Sequence, residues 1–126
     1  MTAPRFESVP PAAGPRVQGF SERGFVVDGK AHDGLLLTPV AALAWDAPAL
    51  AELTLAHVES VLALDPAPEF LLLGTGAFMA FPPRAFTASL EEKGIGVEAM
   101  DSRAAARTWG LLRGEGRWIA AALMPL

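Results

Sequence analysis

From Val17 onward, apolar and polar positions fall into short blocks that switch between strand-like alternation and helix-like spacing. Ahead of that point the apolar residues keep no period, and Pro4, Pro10, Pro11, Gly14 and Pro15 break up any regular structure. Residues 1–16 therefore read as a flexible N-terminal tail, and 17–126 as one domain. Gly24-Phe25-Val26-Val27-Asp28 has the composition of a strand, and Asp28-Gly29 is a tight hairpin turn, because glycine tolerates the positive φ such turns require. A second strand is expected over Lys30 to Leu37, closed by Pro39, and a third at Leu43-Ala44-Trp45. The front half thus reads as a small antiparallel unit.

The spacing then turns helical. Leu55, Val58 and Leu62 share one face of a helix expected over Thr54 to Leu64, with Thr54 able to cap it and Pro66 stopping it. Glu69 to Leu73 is a short continuous apolar run, the pattern of a parallel strand covered on both faces, and it ends in Gly74-Thr75-Gly76. Pro83 opens a second helix carrying Phe86 and Leu90, and Gly94 stands where a left-handed C-cap is wanted. Ile95 to Met100 is a further strand. Ser102 is expected to cap a third helix, with Ala105, Trp109 and Leu112 on its buried face and Gly114 at its end. The last strand, Arg117 to Met124, is apolar at both parities and so belongs inside a sheet. A hairpin followed by βαβαβ-like alternation is an α/β layered domain.

Composition narrows the classes. A chain of 126 residues buries roughly two-thirds of its unfolded surface, enough for a core without staples. The longest apolar run, Trp118 to Met124, is strand-sized, far short of the roughly 20 residues that cross a bilayer as a helix. The N-terminus lacks the basic-then-apolar layout of a secretory signal, and Glu7 and the prolines argue against a transit peptide, so a cytoplasmic location is expected. No cysteine is present, which excludes disulfides, thiolate metal sites and thiol nucleophiles. A net charge of −4 gives no general attraction for nucleic acid. The two histidines, His32 and His57, lie in unrelated elements without ligand-spaced partners, so neither a metal nor any other cofactor is expected.

Three features could carry function. Gly74-Thr75-Gly76 lies past the carboxyl end of an expected parallel strand, where open α/β sheets form ligand crevices, although it is neither a dinucleotide fingerprint nor a Walker loop. It reads either as a tight turn needing positive φ or as a binding loop. Arg103 and Arg107 are one helical turn apart near a helix start, with Arg113 and Arg117 following. They could frame an anion site or form salt bridges with Glu98, Asp101 and Glu115. Phe78-Met79-Ala80-Phe81-Pro82-Pro83 is an apolar stretch in a connection. Phe78, Met79 and Phe81 either tuck onto the core or form a contact patch beside the glycine turn. No Gly-x-Ser-x-Gly elbow surrounds any serine, and no catalytic residue is nominated.

The order of these features is informative. Val26-Val27-Asp28-Gly29-Lys30, Leu71-Leu72-Leu73-Gly74-Thr75-Gly76, Gly94 through Met100, Ala105-Ala106-Arg107-Thr108 and Glu115-Gly116-Arg117 follow one another along residues 17–126. In this the chain resembles a domain family that includes the mitochondrial complex I (NADH dehydrogenase alpha subcomplex) assembly factor, an adipogenesis-associated protein and many short bacterial and archaeal proteins. The resemblance implies a three-layer α/β domain, a mixed central sheet flanked by helices with an N-terminal β-hairpin unit, and no established enzymatic activity. It also points to Thr75, Arg107, Thr108, Glu115 and Arg117 as recurring polar positions. Where the family often has Tyr-Asn, this chain has Trp109-Gly110, so a function needing that polar pair would be absent. Two functions are carried forward. One is a non-catalytic binding or assembly domain, monomeric or weakly dimeric, docking a protein partner through residues 74–83. The other is a small-molecule or anion-binding protein, with or without catalysis, using the glycine turn and the arginines.

Overall fold

In chain order the strands are β1 (Gly19–Phe20), β2 (Phe25–Val27), β3 (Lys30–His32), β4 (Leu35–Thr38), β5 (Ala41–Ala44), β6 (Phe70–Gly74), β7 (Gly96–Met100) and β8 (Ala120–Leu123), with the β-branched and leucine-rich runs in β2, β4 and β6. The helices are α1 (Glu59–Leu62), α2 (Arg84–Glu91) and α3 (Ser102–Gly114). The structure, a computed structural model, describes residues 14–126; most of the expected tail lies outside the described residues. Its last residues are fastened to the domain: the Trp109 indole donates to the Pro15 carbonyl at 3.0 Å, and Arg16 donates to the Gly110 carbonyl at 3.0 Å.

Five strands make one mixed sheet in the order β5-β4-β8-β6-β7, and β1-β2-β3 make a separate antiparallel sheet. In the large sheet β6 runs parallel to both β7 and β8, while β4 is antiparallel to β8 and β5. Alternation along the strands divides the core. Leu36, Leu71, Leu73, Ala120 and Ala122 pack with Val58, Val61, Phe86 and Leu90 on one face. Leu35, Leu37, Leu72, Ala121 and Leu123 pack with Trp109 and Phe25 on the other. The sheet is therefore the middle of three layers, with α1 and α2 on one side and α3 with the small sheet on the other. Ala120, Ala121 and Ala122 are fully buried, as expected of a central strand covered on both faces. Among the described residues, no helix is long and apolar enough to cross a membrane.

The hairpin forms as expected: Asp28 and Gly29 have φ of 50° and 78°, and Val27 pairs with Lys30 across a two-residue turn. The expected single strand from Lys30 to Leu37 is instead two, β3 and β4, in different sheets. The break falls at Asp33-Gly34, because the Gly34 carbonyl accepts from the Trp45 amide at 3.0 Å and a side chain at Gly34 would run into the Trp45 carbonyl. The front half is thus divided between two sheets rather than forming one antiparallel unit. The helix expected over Thr54 to Leu64 begins as a 3-10 turn, Leu55–Val58, and is α-helical only over α1. His57 ties that start by accepting from the Thr54 amide through Nδ1 at 3.0 Å. α3 ends at Gly114 as expected, and the left-handed residue that follows is Gly116, φ 79°.

Candidate functional site

β6 delivers Gly74 to the carboxyl edge of the parallel strands, and the turn that follows is knitted into its neighbours. The Met124 amide donates to the Gly74 carbonyl at 2.9 Å, and the Thr75 amide donates to the Met100 carbonyl at 2.9 Å. The Ser102 amide donates to the Gly76 carbonyl at 2.8 Å. Ser102 is not the cap of α3. Asp101 takes that role, its carboxylate accepting from the Ala104 amide at 2.8 Å. Ser102 is fully buried instead: its Oγ accepts from the Gly76 amide at 2.8 Å and donates to the Met124 carbonyl at 2.7 Å. One hydroxyl thus joins the ends of β6 and β8 to the start of α3.

This packing explains both glycines. A Cβ on Gly74 would lie 2.7 Å from Ser102 Oγ and 2.8 Å from Ser102 Cα. Gly76 has φ of 102°, a region L side chains rarely adopt. The backbone N–H groups of Thr75 and Gly76, which a ligand would need, are engaged within the fold. Thr75 organises what comes next. Its Oγ1 donates to the Phe78 carbonyl at 2.7 Å and accepts from the Ala80 amide at 3.0 Å, folding the connection into a fixed loop. That loop turns its apolar side chains outward: Phe78 and Phe81 are each 83% exposed, and Met79 is 46% exposed.

The arginines are spread along α3 rather than gathered. α3 starts beside Gly76 and runs back over β6 and β8 to the amino ends of the parallel strands, a span of roughly 18 Å at 1.5 Å per residue. Arg103 is exposed, with its guanidinium 5.6 Å from the centre of the Phe20 ring. Arg107 is exposed on the rim of a small hollow lined by Val17, Gly19 and Phe20. Thr108 is half-buried and donates to the Met100 sulfur at 3.6 Å. Arg113 is buried and donates to the Arg117 carbonyl at 2.7 Å. Its pKa is lowered by burial first and by Arg16 second.

Arg117 pairs with Glu69 through Nη2 at 2.8 Å and Nε at 3.2 Å, and its guanidinium lies over the Phe70 ring at 5.7 Å. This hydrogen bond is the main reason the Glu69 carboxyl titrates below the ordinary range and Arg117 above its own. Exposed Glu115 adds a weaker attraction on Arg117. Of the sequence-nominated residues, then, Gly74, Thr75 and Gly76 sit with Phe78, Met79 and Phe81 at the carboxyl edge, with Arg103 nearest among the cations. Arg107 and Thr108 lie further along α3, and Glu115 and Arg117 are at the opposite end. Among the described residues no cluster of His, Asp and Glu could hold a metal. The residue that sequence reasoning misplaced is Ser102. A small polar residue before an apolar helix resembles a cap, and only the neighbouring strand ends reveal its other partners.

Comparison with known proteins gives the same architecture. Residues 17–124 match the family described as protein of unknown function, DUF498/DUF598. The chain is 32% identical over 115 residues to the NADH dehydrogenase [ubiquinone] 1 alpha subcomplex assembly factor 3 of Danio rerio, covering 90% of this chain and 66% of that one. It therefore spans just under two-thirds of that relative's length. An uncharacterised protein of Rhodobacter capsulatus is 32% identical over 111 residues, covering 87% of this chain and 84% of its own. A crystal structure from Bordetella parapertussis superposes with a TM-score of 0.81 at 30% identity, over 93% of this chain and 100% of that one.

Proposed function

The chain belongs to the DUF498/DUF598 family, and from that premise we propose that it is a docking domain of the assembly-factor kind, holding a partner protein against the loop from Phe78 to Phe81. Relatives named as assembly factors match 86–90% of this chain, which makes protein partnership the natural starting point. The observation that carries the reading is the outward set of Phe78 and Phe81, 83% exposed on a loop already fixed by Thr75. Covering a phenylalanine side chain contributes about 1.5–3 kcal/mol. A loop already ordered before contact loses little conformational freedom on binding. The Cys-free composition suits the cytoplasmic setting expected from the sequence.

Anion binding is the weaker reading. It would draw on Thr75, Arg107 and Arg117, yet the Thr75 amide is bonded to Met100 and Arg117 is held by Glu69 at the far end of α3. A melting shift with anionic metabolites that disappears in Arg107→Ala would revive it.

The docking reading is tested by tagging the full chain in its own cells and comparing recovered proteins by quantitative mass spectrometry. The double variant F78D/F81D is expected to lose a discrete partner while melting like the wild type, since substitutions at exposed sites shift stability by about 0.5 kcal/mol or less. Val40→Asp, at a site 72% exposed at the opposite end of the sheet, is the control and should retain that partner. Equal recovery by all three proteins would contradict the proposal.

A further inference from the structure

We infer that the segment seated against this loop is an amphipathic helix of the partner protein, lying along α2, with an acidic side chain at one end and a basic one at the other. The inference rests on the docking role above and adds the chemistry of what docks. Arg84, Ala88 and Glu91 fall at i, i+4 and i+7, so they share one flank of α2. With Phe81, Pro82 and Thr87 they line an open hollow of about 370 Å³. On the neighbouring flank Ala85 and Ser89 border a second hollow that reaches Leu55. α2 is thus a low ridge of small side chains between two grooves, rooted in the core by Phe86 and Leu90. Small residues at such a ridge let a second helix axis approach to roughly 8–10 Å.

The backbone argues for a helix over an extended peptide. The interior of α2 satisfies its own N–H and C=O groups, so along the helix flank of the groove no backbone group is free to pair with an incoming strand. A segment buried there must close its own hydrogen bonds, which a helix does. Charge sets the ends. Arg84 is exposed at the Phe81 end, and Glu91 and Glu92, followed by Lys93, are exposed at the other, which leaves that end net negative. Among the described residues neither Arg84 nor Glu91 is in an ion pair. The flank therefore reads cation, small residue, anion over about 12 Å, the length of eight helical residues. The complementary surface is an apolar stripe with an acid near Arg84 and a base near Glu91.

The test is fluorescence anisotropy of the full chain with three synthetic helix-stapled peptides that share one leucine stripe. One probe has an acid and a base at its ends, one has two acids and one has two bases. The wild type is expected to bind the mixed probe at least about threefold more tightly than either other, the scale of one or two rim charge pairs. Arg84→Glu should move the preference to the dibasic probe, and Phe81→Asp should weaken all three. A proline in the middle of the mixed probe should abolish its binding. Indifference to Arg84→Glu, unchanged binding of the proline probe, or no binding of the mixed probe would overturn the helix inference. So would sedimentation with phosphatidylcholine vesicles in place of probe binding. If those results came while F78D/F81D still lost its cellular partner, the docking role would stand and the helical occupant alone would fall.

Discussion

Ser102 illustrates how much a single hydroxyl can hold when three elements end at one place. It accepts from Gly76 and donates to Met124, and it is fully buried, so removing the oxygen leaves a donor and an acceptor without their partner. Ser102→Ala is expected to cost about 1–3 kcal/mol in equilibrium denaturant unfolding, more than an N-cap's typical ~1 kcal/mol. A loss of a few tenths would contradict that account. The Glu69–Arg117 pair makes a different prediction, because both groups are exposed and its effect depends on pH. Glu69's carboxyl is depressed in the folded state below its ordinary 4.5. Its contribution is therefore fully present above that value and is lost as pH falls through the folded pKa. Melting of Glu69→Gln against the wild type should show a gap at neutral pH that closes in the acid range; a gap that widens on acidification would contradict the assignment. In the sequence, both residues were visible as charges, but 48 positions separate them, and only the pairing of strand ends brings them together.

At the scale of elements, local chemistry was legible where one segment decides its own conformation. Asp28-Gly29 makes its turn, Gly94 its left-handed cap and Pro83 the start of α2, because each depends on φ alone. The division between β3 and β4 was not legible, since Lys30 to Leu37 reads as one strand until the Trp45 backbone arrives at Gly34. The loop of residues 76–81 is the element on which the proposed docking turns, and Thr75 is the side chain that shapes it. Thr75→Val keeps the shape and removes the hydrogen bonds to Phe78 and Ala80. Amide hydrogen exchange at Ala80 should then accelerate at least about tenfold, the equivalent of some 1.4 kcal/mol of local protection, while the amides of β6 and β8 hold. Unchanged exchange at Ala80 would mean the loop is ordered by something other than Thr75.

For the whole molecule, the three-layer arrangement follows from two alternating leucine and alanine faces, which the sequence displays at β6 and β8 and the structure assembles into one central sheet. The sequence already points to residues 74–83 as a docking region, but whether their apolar side chains tuck inward or face outward was not readable, because exposure belongs to the assembled fold. Phe78 and Phe81, which the chain alone leaves open between core packing and a contact patch, stand 83% exposed in the structure. The same assembly places Arg117 at the opposite end from the glycine turn, so the sequence cluster of arginines does not become a spatial one. The central claim is that the carboxyl end of the sheet is the docking end. The most direct measurement is photo-crosslinking in living cells, with a benzophenone amino acid placed at position 81 and, separately, at position 40. A discrete protein adduct at 81 and none at 40 is the predicted result. Adducts of equal yield at both positions, or at 40 alone, would contradict it.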